Sequence, residues 1–281
     1  MSSNRELHDH IAAVRLRQAE MRAVRKGVPV NVNLGPLGAQ LVTDARWKSQ
    51  DEYPAYQAFA DELERLLLFA KQQGQYELYL SRLTASARQR DAAIDELRVA
   101  YHLDSNGFPI LQWNPIGLPP KEGEYLISSP SKMETFVEVK SPTWQSELTD
   151  EEIEAGRTQD PKYLYCEGGA YTHWPLTQAA IDRAYKKFAP HRGNLLVIPG
   201  DGPRVSMRHG LEMHAREALY VDREPYNGYF ADLLYEKLGG VAFFFVDGGF
   251  SPVSYSLAVF LNPYAFVPLP KELEEAFPCT L

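Results

Sequence analysis

The heptapeptide FVEVKSP, residues 136–142, sets a carboxylate and an ammonium two positions apart, at Glu138 and Lys140. Side chains alternate across a strand, so Phe136, Glu138 and Lys140 share one face while Val137 and Val139 share the other. By itself an E-x-K of this kind reads as a solvated ion pair on a strand. A second acid widens the chemistry. Glu96, in DAAIDELRVAYHL, falls on the apolar stripe of Ala93, Leu97, Ala100 and Leu103. A buried carboxylate is costly unless it is paired or bound to a metal. Both outcomes are open to Glu96: ligation of a cation, or a plain ion pair with Arg98 or Lys187.

The surrounding pattern shows which elements must position these groups. Up to about residue 75 the chain reads as helical. NRELHDHIAAVRLRQAEMRAVRKG is charged, Ala-rich and stopped by Gly27. VPVNVNLGPLG reads as an extended or turn segment. YPAYQAFADELERLLLFAKQQG is an amphipathic helix with Tyr56, Phe59, Leu63, Leu66 and Leu67 on one side, ending at Gly74. A long helical stretch then runs from about Tyr76 to Leu103 and closes at Gly107. Beyond it come three short strands, in FPILQWNP, GEYLISS and METFVEVK, separated by Pro, Gly and Ser. Thr149 and Glu152 in the acidic SELTDEEIEAG suggest a capping box and a short helix. PLTQAAIDRAYKKFAPH reads as a helix with Pro175 early and Pro190 at its end, and GNLLVIPGDG as a buried strand. NGYFADLLYEKLGG reads as another helix, and VAFFFVDGG and PVSYSLAVFLNP as two more strands. The expectation is an α/β protein, with an N-terminal helical region over 1–75 and a second domain over 76–281.

Composition limits the function classes. The 281 residues are 44% hydrophobic, an ordinary value for a folded globular protein. Cys166 and Cys279 are too few and too far apart for a disulfide or metal framework, which fits a reducing compartment. No apolar run reaches membrane-spanning length and no apolar signal region opens the sequence, so the expected location is cytoplasmic. The formal net charge of −8 argues against non-specific coating of nucleic acid. Any nucleic-acid role must rest on a local patch.

The order helix, three-strand meander, crossover helix, strand resembles the αβββαβ core of the restriction-endonuclease-like, or PD-(D/E)XK, nucleases. In that family the third strand ends in (D/E)-x-K, matched here by Glu138-Val139-Lys140, and the second strand carries an acid near its start. Glu124 in GEYLI, with thirteen residues between it and Glu138, has a spacing the family allows. The crossover helix and strand in IDRAYKKFAPHRGNLLVIP are also similar, and the likeness covers roughly residues 85–200. It implies a mixed sheet and a metal-dependent nuclease that hydrolyses phosphodiester bonds, most naturally of DNA. It further implies Mg2+ or Mn2+ held by Glu124, Glu138 and the Val139 carbonyl, with Glu96 as an extra acid from the first helix. Lys140 would orient the attacking water and stabilise the developing anion. The sequence departs from the family where Gly123-Glu124 replaces the usual Pro-Asp, and Glu122 is an alternative ligand.

Other readings stand beside this one. Lys186 and Lys187 can contact phosphate or the active site, or be a solvated helix face. A nuclease-like fold can also serve as a binding or assembly module without catalysis. The N-terminal helices can form a homodimer, or their Arg15, Arg17, Arg22, Arg25 and Lys26 can contact nucleic acid. His173, His191, His209 and His214 are scattered and read as surface or structural residues. G-x-S-x-G, P-loop, zinc and dinucleotide-binding patterns are absent.

Overall fold

The structure is a computed structural model and describes residues 35–43, 57–85, 87–141, 170–200, 214–223, 226–231, 233–247 and 253–279. The N-terminal basic helix, the Thr149–Glu152 capping box and Cys166 lie outside these residues. The chain divides into two compact units, one of Met1–Ala93, Glu147–Cys166 and Asp247–Ser254, the other of Ile94–Ser146, Glu167–Val246 and Tyr255–Leu281.

The described residues of the first unit are mostly helical. VPVNVNLGPLG is not wholly extended, because α1 (Pro36–Thr43) begins within it. Proline suits the first helical turn, where its missing N–H is no loss. The remaining free N–H groups of Leu37 and Gly38 donate to the Glu64 carboxylate at 3.2 and 2.7 Å. Glu64 belongs to α2 (Gln57–Gln72), which buries Leu63, Leu66, Leu67 and Ala70. Gly74, at φ +70, ends that helix in the left-handed conformation that glycine accepts most readily.

The expected single helix over Tyr76–Leu103 is two: α3 (Tyr76–Leu83) and α4 (Ala87–Ser105). The break follows Thr84, whose hydroxyl donates to the Leu80 carbonyl at 2.9 Å and so competes with the helical ladder. α4 ends at Gly107 (φ +89), as the sequence indicated. Its Leu97, Ala100 and Leu103 are all buried.

The second unit is built on a six-stranded mixed sheet in the order β1-β2-β3-β4-β7-β8. β1 (Ile110–Trp113), β2 (Tyr125–Ser128) and β3 (Glu134–Val139) form an antiparallel meander. After β3 comes α5 (Ala170–Tyr185), then β4 (Gly193–Pro199), which lies parallel to β3. β4 is buried along its whole length, as expected of a central strand covered on both faces. A helix over 214–220 (α6) and a small hairpin of β5 (Asp222–Arg223) and β6 (Tyr226–Asn227) follow. β7 (Gly240–Asp247) pairs parallel with β4, and β8 (Ser254–Leu261) lies beside β7. A short α7 (Glu272–Ala276) follows. Ala180, Ile181 and Ala184 of α5, with Phe188 just beyond it, pack into one apolar cluster with Leu126, Phe136, Leu196 and Ile198 of the sheet.

Two helix readings need correction. α5 starts at Ala170, ahead of Pro175, and stops at Tyr185, short of Pro190. A proline inside a helix removes the bond its N–H would have made and crowds the carbonyl four residues earlier, so the turn ahead of it is weakened. Among its described residues NGYFADLLYEKLGG forms a 3-10 turn, Leu233–Tyr235, rather than the expected helix. Gly228 sits at φ +56, and the N–H of Phe230 donates to Leu219 outside the segment. Tyr229 and Phe230 are buried, whereas Leu233 and Leu234 are each 72% exposed, so the apolar spacing does not describe one face of a helix.

Candidate active site

Glu138 is fully buried, although it is a carboxylate on a central strand. Two ammoniums from different parts of the chain reach its Oε1: Lys140 on its own strand face, and Lys187 from the turn after α5, whose Nζ lies 2.6 Å away. Oε2 is buried and makes no hydrogen bond among the described residues. Such an atom normally forfeits a good deal of solvation free energy unless some other group meets it.

The β-sheet register brings the second acid across. Tyr125 pairs with Val137 in the antiparallel β2–β3 ladder, and Glu124, just ahead of β2, lies within electrostatic reach of Glu138. The Glu124 N–H donates to the Val137 carbonyl at 3.1 Å, and its own carbonyl accepts from Asn114 at 3.0 Å. Burial first, then the negative charges of Glu96 and Glu138, push the Glu124 carboxyl up to about 8, against a smaller opposing pull from Lys140 and Lys187.

Gly123 has a local reason to be glycine. A Cβ there would run into the Phe136 ring, and the Gly123 N–H donates to the Pro115 carbonyl at 2.9 Å. Proline could supply neither the space nor the donor. Glu122, the alternative ligand, is exposed and bridges Ile116 instead.

Glu96 is 5% exposed on α4 and lies within electrostatic reach of Glu124. The Tyr125 hydroxyl donates to the Glu96 carbonyl at 2.7 Å, which ties this turn of α4 to the start of β2. Arg98 lies 3.4 Å from Asp95. The other oxygen of Asp95 accepts from the Ser141 hydroxyl at 2.9 Å, which fixes the chain just beyond Lys140. Nothing in the sequence singled out Tyr125, Asp95 or Ser141, because each acts through a partner far away along the chain.

The two lysines of the crossover segment part company. The Lys187 carbonyl accepts from the Leu118 N–H at 2.7 Å, and its own N–H donates to Ala184 at 2.8 Å. The residue is thereby clamped with its ammonium toward Glu138. Burial works against that ammonium, but contact with Glu138 and the charges of Glu138 and Glu124 outweigh it and hold the group above the usual lysine range. Lys186 is exposed, and its carbonyl accepts from Lys121 Nζ at 3.1 Å. The Val139 carbonyl accepts from Lys140 Nζ at 3.4 Å.

Among the described residues no three His, Cys, Asp or Glu side chains close into a metal-ligand cluster, and no helix is long and apolar enough to cross a membrane. No protein-family model, curated protein or solved structure matches the chain.

Proposed function

We propose that the protein is a metal-dependent nuclease with a restriction-endonuclease-like core, and that Glu124, Glu138 and Lys140 form its catalytic centre. The observation that carries this reading is Glu138: fully buried, with Oε1 shared by two ammoniums, Oε2 free of hydrogen bonds among the described residues, and Glu124 within electrostatic reach. The strand and helix order, with a meander followed by a crossover to a parallel strand, supports it.

The donor set fits a hard divalent cation. Carboxylate and carbonyl oxygens suit Mg2+ or Mn2+, which keep several waters and need few protein ligands. Glu138 and Glu124 would hold the ion, with the Val139 carbonyl and Glu96 as further oxygens. When bound, it neutralises charge on a phosphate and acidifies a water. The protein's own groups do the rest. Glu124, pushed up to about 8, releases its proton readily only where positive charge compensates it. Lys140 Nζ orients the attacking water and stabilises the anion that develops on the phosphoryl oxygens. Lys187 Nζ, clamped through its carbonyl, holds a second positive charge at the same carboxylate.

A non-catalytic module is the second reading, and one observation favours it. Two ammoniums already balance Glu138 electrically. A cleavage assay with Mg2+ or Mn2+ on single-stranded and duplex DNA and on RNA separates the two. Metal-dependent cleavage that Glu138→Ala abolishes supports the nuclease. No cleavage by wild type, with a small gain in Glu124→Asp, supports the module.

A further inference from the structure

A cationic and aromatic surface leads away from the candidate site. Lys187, whose ammonium meets Glu138, is preceded by the exposed Lys186. The Lys186 carbonyl binds Lys121 Nζ at 3.1 Å, and the neighbouring Tyr185 carbonyl binds Lys237 Nζ at 3.4 Å. Lys237 also lies over the Tyr185 ring, 4.2 Å from its centroid. Burial and then the Lys121 charge hold the Lys237 ammonium below the usual lysine range, while Glu236 opposes this. Three lysines are therefore gathered at the end of α5 in a chain whose net charge is −8.

The surface continues into bare aromatic rings. The Glu236 carbonyl, next to Lys237, accepts from the Phe266 N–H at 2.7 Å. Asn262 donates to Leu238 at 2.8 Å and accepts from the Tyr264 N–H at 2.9 Å, so the 262–266 turn is fastened to the 236–238 turn. Phe266 is 67% and Tyr264 64% exposed. Open rings on the turn fastened beside Lys237, together with the clustered lysines, suit a strand whose phosphates are charged and whose bases are unstacked.

We propose that Lys121, Lys186 and Lys237, with Tyr264 and Phe266, form a track for single-stranded nucleic acid, the lysines holding phosphates and the rings stacking bases. The track rests on the nuclease reading for its purpose, because it ends at Lys187 and Glu138. Lys121 and Lys237 also cap the carbonyl end of α5, so their loss affects the fold as well as binding. Lys186 and the two rings are free of that double duty.

The test measures fluorescence anisotropy of labelled oligo(dT), and of an abasic strand of equal length, in EDTA so that no cleavage intervenes. Wild type should bind oligo(dT) in a salt-dependent way. Lys186→Glu/Lys237→Glu should weaken both strands and flatten the salt slope by roughly 1.4 in log–log terms. Tyr264→Ala and Phe266→Ala should each weaken oligo(dT) by roughly 5- to 150-fold and leave the abasic strand unchanged, a pattern no folding defect would produce. The proposal is overturned if wild type fails to bind oligo(dT), if it binds duplex more tightly, or if the ring variants bind like wild type. A separate cleavage assay distinguishes the two readings: Lys140-dependent cleavage with unaffected track variants leaves the nuclease and removes the track. Track-dependent binding without any metal-dependent cleavage does the reverse.

Discussion

Lys187 Nζ lies 2.6 Å from Glu138 Oε1, although the two residues sit on different elements and 49 positions apart. Two residues earlier, on the same β3 face, Phe136 meets Phe188 edge-on with ring centroids 6.1 Å apart. The apolar and ionic contacts thus run in parallel, Phe136 to Phe188 and Glu138 to Lys187. The aromatic pair fixes the depth of the turn after α5, and the turn fixes the ammonium.

Removing either ammonium should destabilise the fold. Lys187→Met leaves a buried carboxylate with Lys140 alone, at an expected cost of about 1–3 kcal/mol. Glu138→Gln should lower that cost, since no charge then needs compensation. A double-mutant cycle by denaturant unfolding measures the coupling, and additive effects would show that the contact contributes nothing.

Stability should fall as pH rises from 4.5 toward about 8 through Glu124. Its folded pKa lies above its unfolded one, so in this window the native state binds more protons than the unfolded state. The contribution is favourable below the window and lost above it. Glu124→Gln should flatten the profile, and added Mg2+ should raise the unfolding midpoint of wild type most at the alkaline end. A profile unchanged by Glu124→Gln would contradict the crowding of acids described above.

His102 gives the opposite slope. It is packed among Phe244, Tyr255 and Phe277, and burial lowers it from 6.5 to about 4. Stability should be unaffected by this residue above 6.5 and decline as pH falls toward about 4, because the unfolded state takes up the proton first. NMR titration of the imidazole checks it directly.

Glu64→Ala should cost about 0.5–2 kcal/mol, because it strips the N-terminus of α1 of two acceptors. Hydrogen exchange at Leu37 and Gly38 should accelerate in that variant, with Glu64→Gln intermediate.

Much of the sheet was legible in the sequence because its strands are short apolar runs cut by Pro, Gly and Ser. The face shared by Glu138 and Lys140 followed from the two-residue period, and the burial of Glu96 from the stripe of Ala93, Leu97, Ala100 and Leu103. What stayed illegible depends on partners remote in sequence. Glu64 caps a helix 26 and 27 residues before it. Lys186 and Lys187 are indistinguishable as letters, yet it is Lys187, whose carbonyl accepts from Leu118, that turns toward Glu138. In NGYFADLLYEKLGG the apolar residues are divided between a buried turn and an exposed one, which a periodicity reading merges into a helix.

The central claim is that Lys140 acts on the water and the developing anion rather than on the bound substrate. Single-turnover cleavage and separate binding measurements on Lys140→Ala test it most directly. The account predicts metal-dependent cleavage by wild type, and in the variant a loss of rate far larger than the loss of affinity. Wild-type cleavage that Lys140→Ala matches in rate would contradict it.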